Sequence, residues 1–155
     1  MATSAYRVRL LAAVLVTVPS PAVAAPSCVV GTIADLPGPA RWLGPCADGR
    51  AEGLGVLRTG PAAPFGFFAG RMAGGRAGAG LIVRPDGLFE VAVGFDATGQ
   101  PLPTDSLHPE RQDAVFKLAA TAARTTADRF ARAGNRGSAD FYRHLSQQIT
   151  AGQPE

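Results

Sequence analysis

Sixteen of the chain's 19 glycines fall between Gly31 and Gly99, and only Gly134, Gly137 and Gly152 follow. Interior glycine weakens a helix or strand by about 0.5–1 kcal/mol relative to alanine. A stretch this rich in it must therefore use those positions for turns and for close backbone approach. The spacing is regular: Trp42 to Leu57 is echoed by Phe67 to Ile82, with Gly49, Gly53 and Gly55 answered by Gly74, Gly78 and Gly80 at an offset of 25. Gly94 and Gly99 fall on the next equivalents of Gly44 and Gly49, so a partial third copy begins near Ala92 and ends at Pro101 and Pro103.

Such a pattern reads as stacked β-hairpins, with an aromatic at a strand start, glycine supplying the turn, and a Gly-x-Gly pair where adjacent backbones approach. Leu81–Arg84 and Leu88–Val93 flank Pro85-Asp86-Gly87, a turn of the x-P-D-G-x kind. Alternation in the second run places Phe89, Val91, Val93 and Phe95 on one face. Beyond Gln100-Pro101-Leu102-Pro103 the composition changes to helix formers. Ser106 is expected to cap a helix beginning near Pro109-Glu110, with proline and an acid in its first turn. Phe116, Ala119, Ala120, Ala123, Ala127, Phe130 and Ala131 form its narrow apolar stripe. Gly134-Asn135-Arg136-Gly137 ends it, and a second helix from about Ser138 to Thr150 carries Phe141, Leu145 and Ile149 inward.

The order aromatic-x-Gly-x-x-x-x-Gly-x-x-x-Gly-x-Gly resembles the MORN repeat family. The first copy, Trp42 to Gly55, keeps the aromatic and all four glycines, with Cys46 where the family has a second aromatic. The second copy, begun at Phe67, has Ala69 at the first glycine and Arg71 at that aromatic position. The resemblance covers about two and a half copies, roughly residues 42–100. It implies hairpins laid side by side in a twisted antiparallel sheet, and scaffolding, protein contact or membrane-surface association rather than catalysis.

The N-terminus carries an address. Arg7 and Arg9, an apolar run from Leu10 to Val18, and Ala22-Val23-Ala24 have the three parts of a secretory signal cleaved after Ala24. The run is far shorter than the about 20 residues a transmembrane helix needs. Cys28 lies close behind it, but Ala25-Pro26-Ser27 lacks the branched residue of a lipidation site. In an oxidising compartment Cys28 and Cys46, the chain's two cysteines, are expected to pair. The whole chain holds 15 Lys+Arg against 12 Asp+Glu, and removal of Arg7 and Arg9 leaves 13 against 12. A nearly neutral chain with seven basic and six acidic residues alternating over 105–155 has no concentrated footprint for nucleic acid.

Candidate chemistries are few. Ser138, Asp140, Tyr142 and His144 lie within two turns of one helix, but such a set on a terminal helix reads as a solvated face, and His108 as a loop residue beside Pro109. Asp86, Glu90 and Asp96 read as turn and strand acids. Gly53-Leu54-Gly55 and Gly78-Ala79-Gly80 lack the third glycine and the helix start of a phosphate-cradling loop. No catalytic, cofactor-binding or metal-ligating residue is therefore assigned, and no cofactor is expected. The candidate partner surface is Trp42, Phe65, Phe67, Phe68 and Arg71, an aromatic cluster with an arginine beside it. Arg76 and Arg84 read as solvated strand and turn residues.

The expected fold is α+β: a short twisted antiparallel β-hairpin sheet followed by a C-terminal helical hairpin. Residues 1–24 are read as a signal peptide, 25–100 as the disulfide-closed hairpin region, 105–150 as the helical hairpin and 151–155 as a flexible tail. The expected function is an exported, periplasmic or secreted, non-enzymatic interaction or scaffold module that presents its sheet to a protein partner of the cell envelope. The alternative is a lipid or small-molecule binding protein with a pocket between sheet and helices, with association at a membrane surface, and a small enzyme is the remote third. A ligand-sized cavity between Phe65–Phe68 and the Phe116/Phe130 face would separate the binder from the module.

Overall fold

The computed structural model describes residues 27–105 and 107–152. The expected signal peptide, the capping role of Ser106 and the last three residues of the expected tail lie outside them. The fold is α+β. Among the described residues nine strands, β1 (Ala40–Trp42), β2 (Cys46–Ala47), β3 (Arg50–Ala51), β4 (Gly53–Thr59), β5 (Gly66–Ala73), β6 (Arg76–Val83), β7 (Phe89–Ala92), β8 (Gly94–Phe95) and β9 (Pro101–Leu102), precede α1 (Pro109–Arg132) and α2 (Arg136–Ala151). Strands β1-β4-β5-β6-β7 form one antiparallel sheet, and β2-β3 and β8-β9 are small separate ladders.

Period-two alternation divides the sheet's side chains. Val56, Phe67, Ala69, Leu81 and Val83 pack beneath the helices with Phe116, Ala119, Ala123, Tyr142, Leu145 and Ile149. Leu57, Phe68, Met72 and Ile82 point the other way and pack with Ile33, Leu36 and Trp42. Both faces are therefore covered, the second by the segment that precedes β1. That segment crosses the β2–β3, β5–β6 and β8–β9 turns in succession: Val29 N–H donates to the Gly49 carbonyl (2.8 Å), Gly31 N–H to Gly75 (2.6 Å) and Ala34 N–H to Gly99 (2.9 Å). Cys28 is bonded to Cys46 with Cα atoms 5.8 Å apart, which fastens the start of this strap to the first hairpin.

The hairpin register corrects the repeat. Trp42 pairs with Leu57 and Phe68 with Ile82, while Cys46 pairs with Ala51 and Met72 with Ala77. Trp42, Gly44, Asp48 and Gly49 thus correspond to Phe68, Gly70, Gly74 and Gly75, 26 residues later, whereas Gly55 and Leu57 correspond to Gly80 and Ile82, 25 later. Glu52 is the extra residue of the first copy. Its carboxylate accepts from Gly74 N–H at 2.8 Å, which ties the two tips together. In this register the second copy regains its first glycine, Phe68-Ala69-Gly70, and Met72 takes the place of Cys46.

Three further expectations need correction. Phe95 leaves the face of Phe89 and Val91, because β7 ends at Ala92 and the chain bends before β8, and its ring packs edge-on against Phe68 at 5.5 Å. On α1 the buried stripe includes Val115, Ala122 and Thr126, while Ala131 is exposed. On α2 the inward aromatic is Tyr142, and Phe141 is 49% exposed. Asn135 caps α2 by accepting from Ser138 N–H at 3.0 Å. The Ser146 hydroxyl donates to the Ala120 carbonyl at 2.8 Å, a buried link between helices whose alanines allow close approach.

Candidate functional site

The repeat's aromatic and glycine residues serve each other. The Trp42 ring lies over Gly44 and Gly55, and the Phe68 ring over Gly70 and Gly80. A Cβ on Gly55 would come within 2.8 Å of Trp42 Cζ2, and one on Gly80 within 2.6 Å of Phe68 Cζ. Glycine is required there because the ring of the same hairpin occupies the space a side chain would need. Trp42 Nε1 donates to the Pro45 carbonyl at 2.7 Å, which satisfies the indole in its buried site. The Gly-x-Gly segments are strand interiors filled by rings.

The expected partner surface is accordingly split. Trp42 and Phe68 are buried on the strap side and Phe67 on the helix side, so these three are core residues. Consecutive Phe67 and Phe68 on a strand must point to opposite faces, and both faces are covered. Arg71 is exposed on β5 and Phe65 is half-buried. Phe65 lies 6.4 Å from Phe67, which is 5.7 Å from Phe141 and 6.3 Å from Tyr142. Tyr142 stacks on Phe130 with ring centroids 5.5 Å apart. The Arg58 guanidinium sits 4.6 Å above the Phe65 ring. Burial pushes the Tyr142 phenol up to about 12, against an opposing pull from Arg58 and Arg41.

The titratable residues singled out from sequence are dispersed. Asp140 pairs with Arg143 at 2.5 Å, Tyr142 is buried, and His144 is exposed. His108 Nδ1 lies 3.0 Å from Glu110 Oε1. Asp86 accepts from Leu88 N–H, and Asp96 accepts from Thr98 and Gln100, bonds that hold the Asp96 carboxyl below its ordinary value. Arg84 pairs with Glu90 and approaches Asp35 of the strap at 3.9 Å; the hydrogen bond and charge of Glu90 raise its pKa further. Among the described residues no three His, Cys, Asp or Glu side chains gather as metal ligands, and no helix is long and apolar enough to cross a membrane.

Among the described residues, three surface depressions have no Phe65, Phe67 or Phe68 in their lining. One of about 290 Å3 is bordered by Arg76, Phe95, Asp96 and Thr98. Another of about 310 Å3 opens between the strap and the sheet beside Ile33, Leu36, Leu57 and Thr59, and a third of about 210 Å3 lies between α1 and Thr150. Sequence reasoning did not single out Arg41 or Arg58, and it placed Phe141 inward, where the structure leaves it half exposed. The two arginines were within reach: once Trp42 pairs with Leu57, Arg41 must face Arg58. No protein-family model, curated protein or solved structure matches the chain.

Proposed function

We propose that the chain is an exported, non-enzymatic interaction module of the cell envelope, built on MORN-like hairpins and engaging a protein partner. One observation carries this reading: the interface between helices and sheet is filled. Phe67, Phe116, Tyr142, Leu145 and Ile149 belong to one buried cluster in which Phe130 stacks on Tyr142 and Phe89 meets Phe116 at 6.3 Å. A ligand pocket between sheet and helices has its site occupied by side chains, which favours recognition at the surface. Because the sheet is covered on both faces, the presented surface lies at its perimeter. The aromatic-x-Gly start common to both copies supports the MORN resemblance. The Cys28–Cys46 bond and the Arg7 to Ala24 pattern support export and cleavage.

The test is affinity capture of the mature chain from envelope extract, followed by mass spectrometry. The expected result is one envelope protein enriched reproducibly over a tag-only control, and no enrichment across conditions overturns the reading. N-terminal sequencing of the exported form should begin at Ala25. A second reading rests on the depression of about 310 Å3, whose apolar Ile33, Leu36 and Leu57 suit a small apolar molecule on the strap side. Thermal stabilisation by medium-chain fatty acids, abolished in Leu57→Gln, would favour it.

A further inference from the structure

Arg41 and Arg58 stand directly opposite one another on β1 and β4. Like charges in that position destabilise an antiparallel pair. Among the described residues neither guanidinium has a carboxylate oxygen within 4.0 Å; the basic side chains that do are Arg84, His108 and Arg143. Two residues along from Val56, Arg58 shares the helix side of the sheet, and its partner Arg41 shares it too. Arg58 is held on the Phe65 ring, and Phe65 leads through Phe67 to Phe141, which is half exposed. One edge of the molecule thus brings together two uncompensated cations and two partly exposed rings.

We propose that this edge docks a protein segment in which a carboxylate stands beside an aromatic or branched apolar side chain. The carboxylate bridges Arg41 and Arg58, and the apolar side chain lies against Phe65 and Phe141. A bridging carboxylate replaces repulsion between the arginines with charge-assisted hydrogen bonds. Arg58, already stacked, loses little further freedom on binding. An anionic membrane is the poorer occupant, because adsorption by charge uses clusters of about four to eight basic side chains, and this edge offers two. The proposal rests on the reading of the chain as a protein-binding module.

The experiment selects peptides from a displayed random library with the mature, disulfide-bonded chain. The expected winners carry Asp or Glu within two positions of an aromatic or branched apolar residue. Their affinity should fall at least tenfold for R41E/R58E and for Phe141→Asp, and weaken about threefold between 50 and 300 mM NaCl. Lys117→Glu, a charge change elsewhere, should leave affinity unchanged. R41Q/R58Q removes the repulsion and should lose binding while melting no lower than the parent, which separates lost recognition from lost folding. Winners without an acidic residue, no winners, or equal binding by R41E/R58E overturn the proposal. So does Arg-dependent binding to vesicles with 30% phosphatidylglycerol in place of peptide binding. An envelope partner captured equally by the parent and R41E/R58E overturns this surface while the interaction reading stands, and capture by neither overturns both.

Discussion

One face of the five-stranded sheet is closed by 24 residues of α1 and 16 of α2, the other by a strap of irregular backbone running from Cys28 to Leu36. The helix side is held by side chains: alanines that let α1 approach, and rings of Phe67, Phe116, Phe130 and Tyr142 that fill the remaining space. The strap side adds main-chain bonds to the packing of the buried side chains of Ile33 and Leu36. Its amides bond to the carbonyls of Gly49, Gly75 and Gly99, in the β2–β3, β5–β6 and β8–β9 turns, and a disulfide anchors one end. A cover made of side chains leaves a periodic trace in the sequence, and a cover made of main-chain bonds leaves none.

The largest expected effect breaks the strap side. Phe68 is fully buried between Gly70, Gly80 and Phe95, and Phe68→Ala should cost about 3–5 kcal/mol in urea denaturation. A loss below about 1 kcal/mol would mean that the ring does not hold the two glycine strands together. Next in size is the disulfide. Its closed loop, with a separation of 18, is worth about 3 kcal/mol in the chain-entropy model. C28S/C46S should therefore lose that much stability. Hydrogen exchange sharpens the contrast between faces: the amides of Val29, Gly31 and Ala34 should lose protection in this variant while those of Ala119 and Ala123 in α1 keep theirs. Uniform loss along the chain would show that the two covers are one cooperative unit. On the helix side, Asn135→Ala removes the α2 cap and should cost about 1 kcal/mol by the same denaturation, with α2 amides exchanging faster and strap amides unchanged.

The difference between the faces also explains what could be read from the sequence. Gly87 after Pro85-Asp86, the Gly134 helix stop and the alanine stripe of α1 are local signals, and each stands where its chemistry demands. The cysteine pair was legible because the chain has only two. The strap was not, since Val29, Gly31 and Ala34 act through their N–H groups and any residue except proline supplies one. The slip of one residue at Glu52 was hidden because Phe67 and Phe68 are both aromatic, and only strand pairing says which ring covers a glycine pair. On α2, the series 141, 145, 149 and 142, 145, 149 fit one helix face equally well; the rings of Phe67 and Phe130 select Tyr142. Of the expected partner surface, Phe65 and Arg71 stay accessible, whereas Trp42, Phe67 and Phe68 serve the core. Burial against a second cover is a long-range fact that no window of sequence contains.

The smallest effect at neutral pH separates the faces by titration. Tyr142 is one of two tyrosines, and Tyr6 falls within the expected signal, so in the mature chain tyrosinate absorbance reports the helix side alone. Burial raises its phenol from 10.0 to about 12. Below pH 10 the phenol is protonated in folded and unfolded chains alike, and it adds no pH dependence. As pH rises through 10 towards 12 the unfolded chain ionises first and binds fewer protons than the folded one. Stability present below pH 10 is therefore lost across that window. Tyr142→Phe should match the parent's urea midpoint at pH 8 and stay above it at pH 11. A folded parent whose tyrosinate appears at pH 10, or a Tyr142→Phe variant that declines in parallel with it, would mean that the helices do not enclose the phenol. The helix side would then be no more tightly closed at its aromatic edge than the strap side is at its open depression.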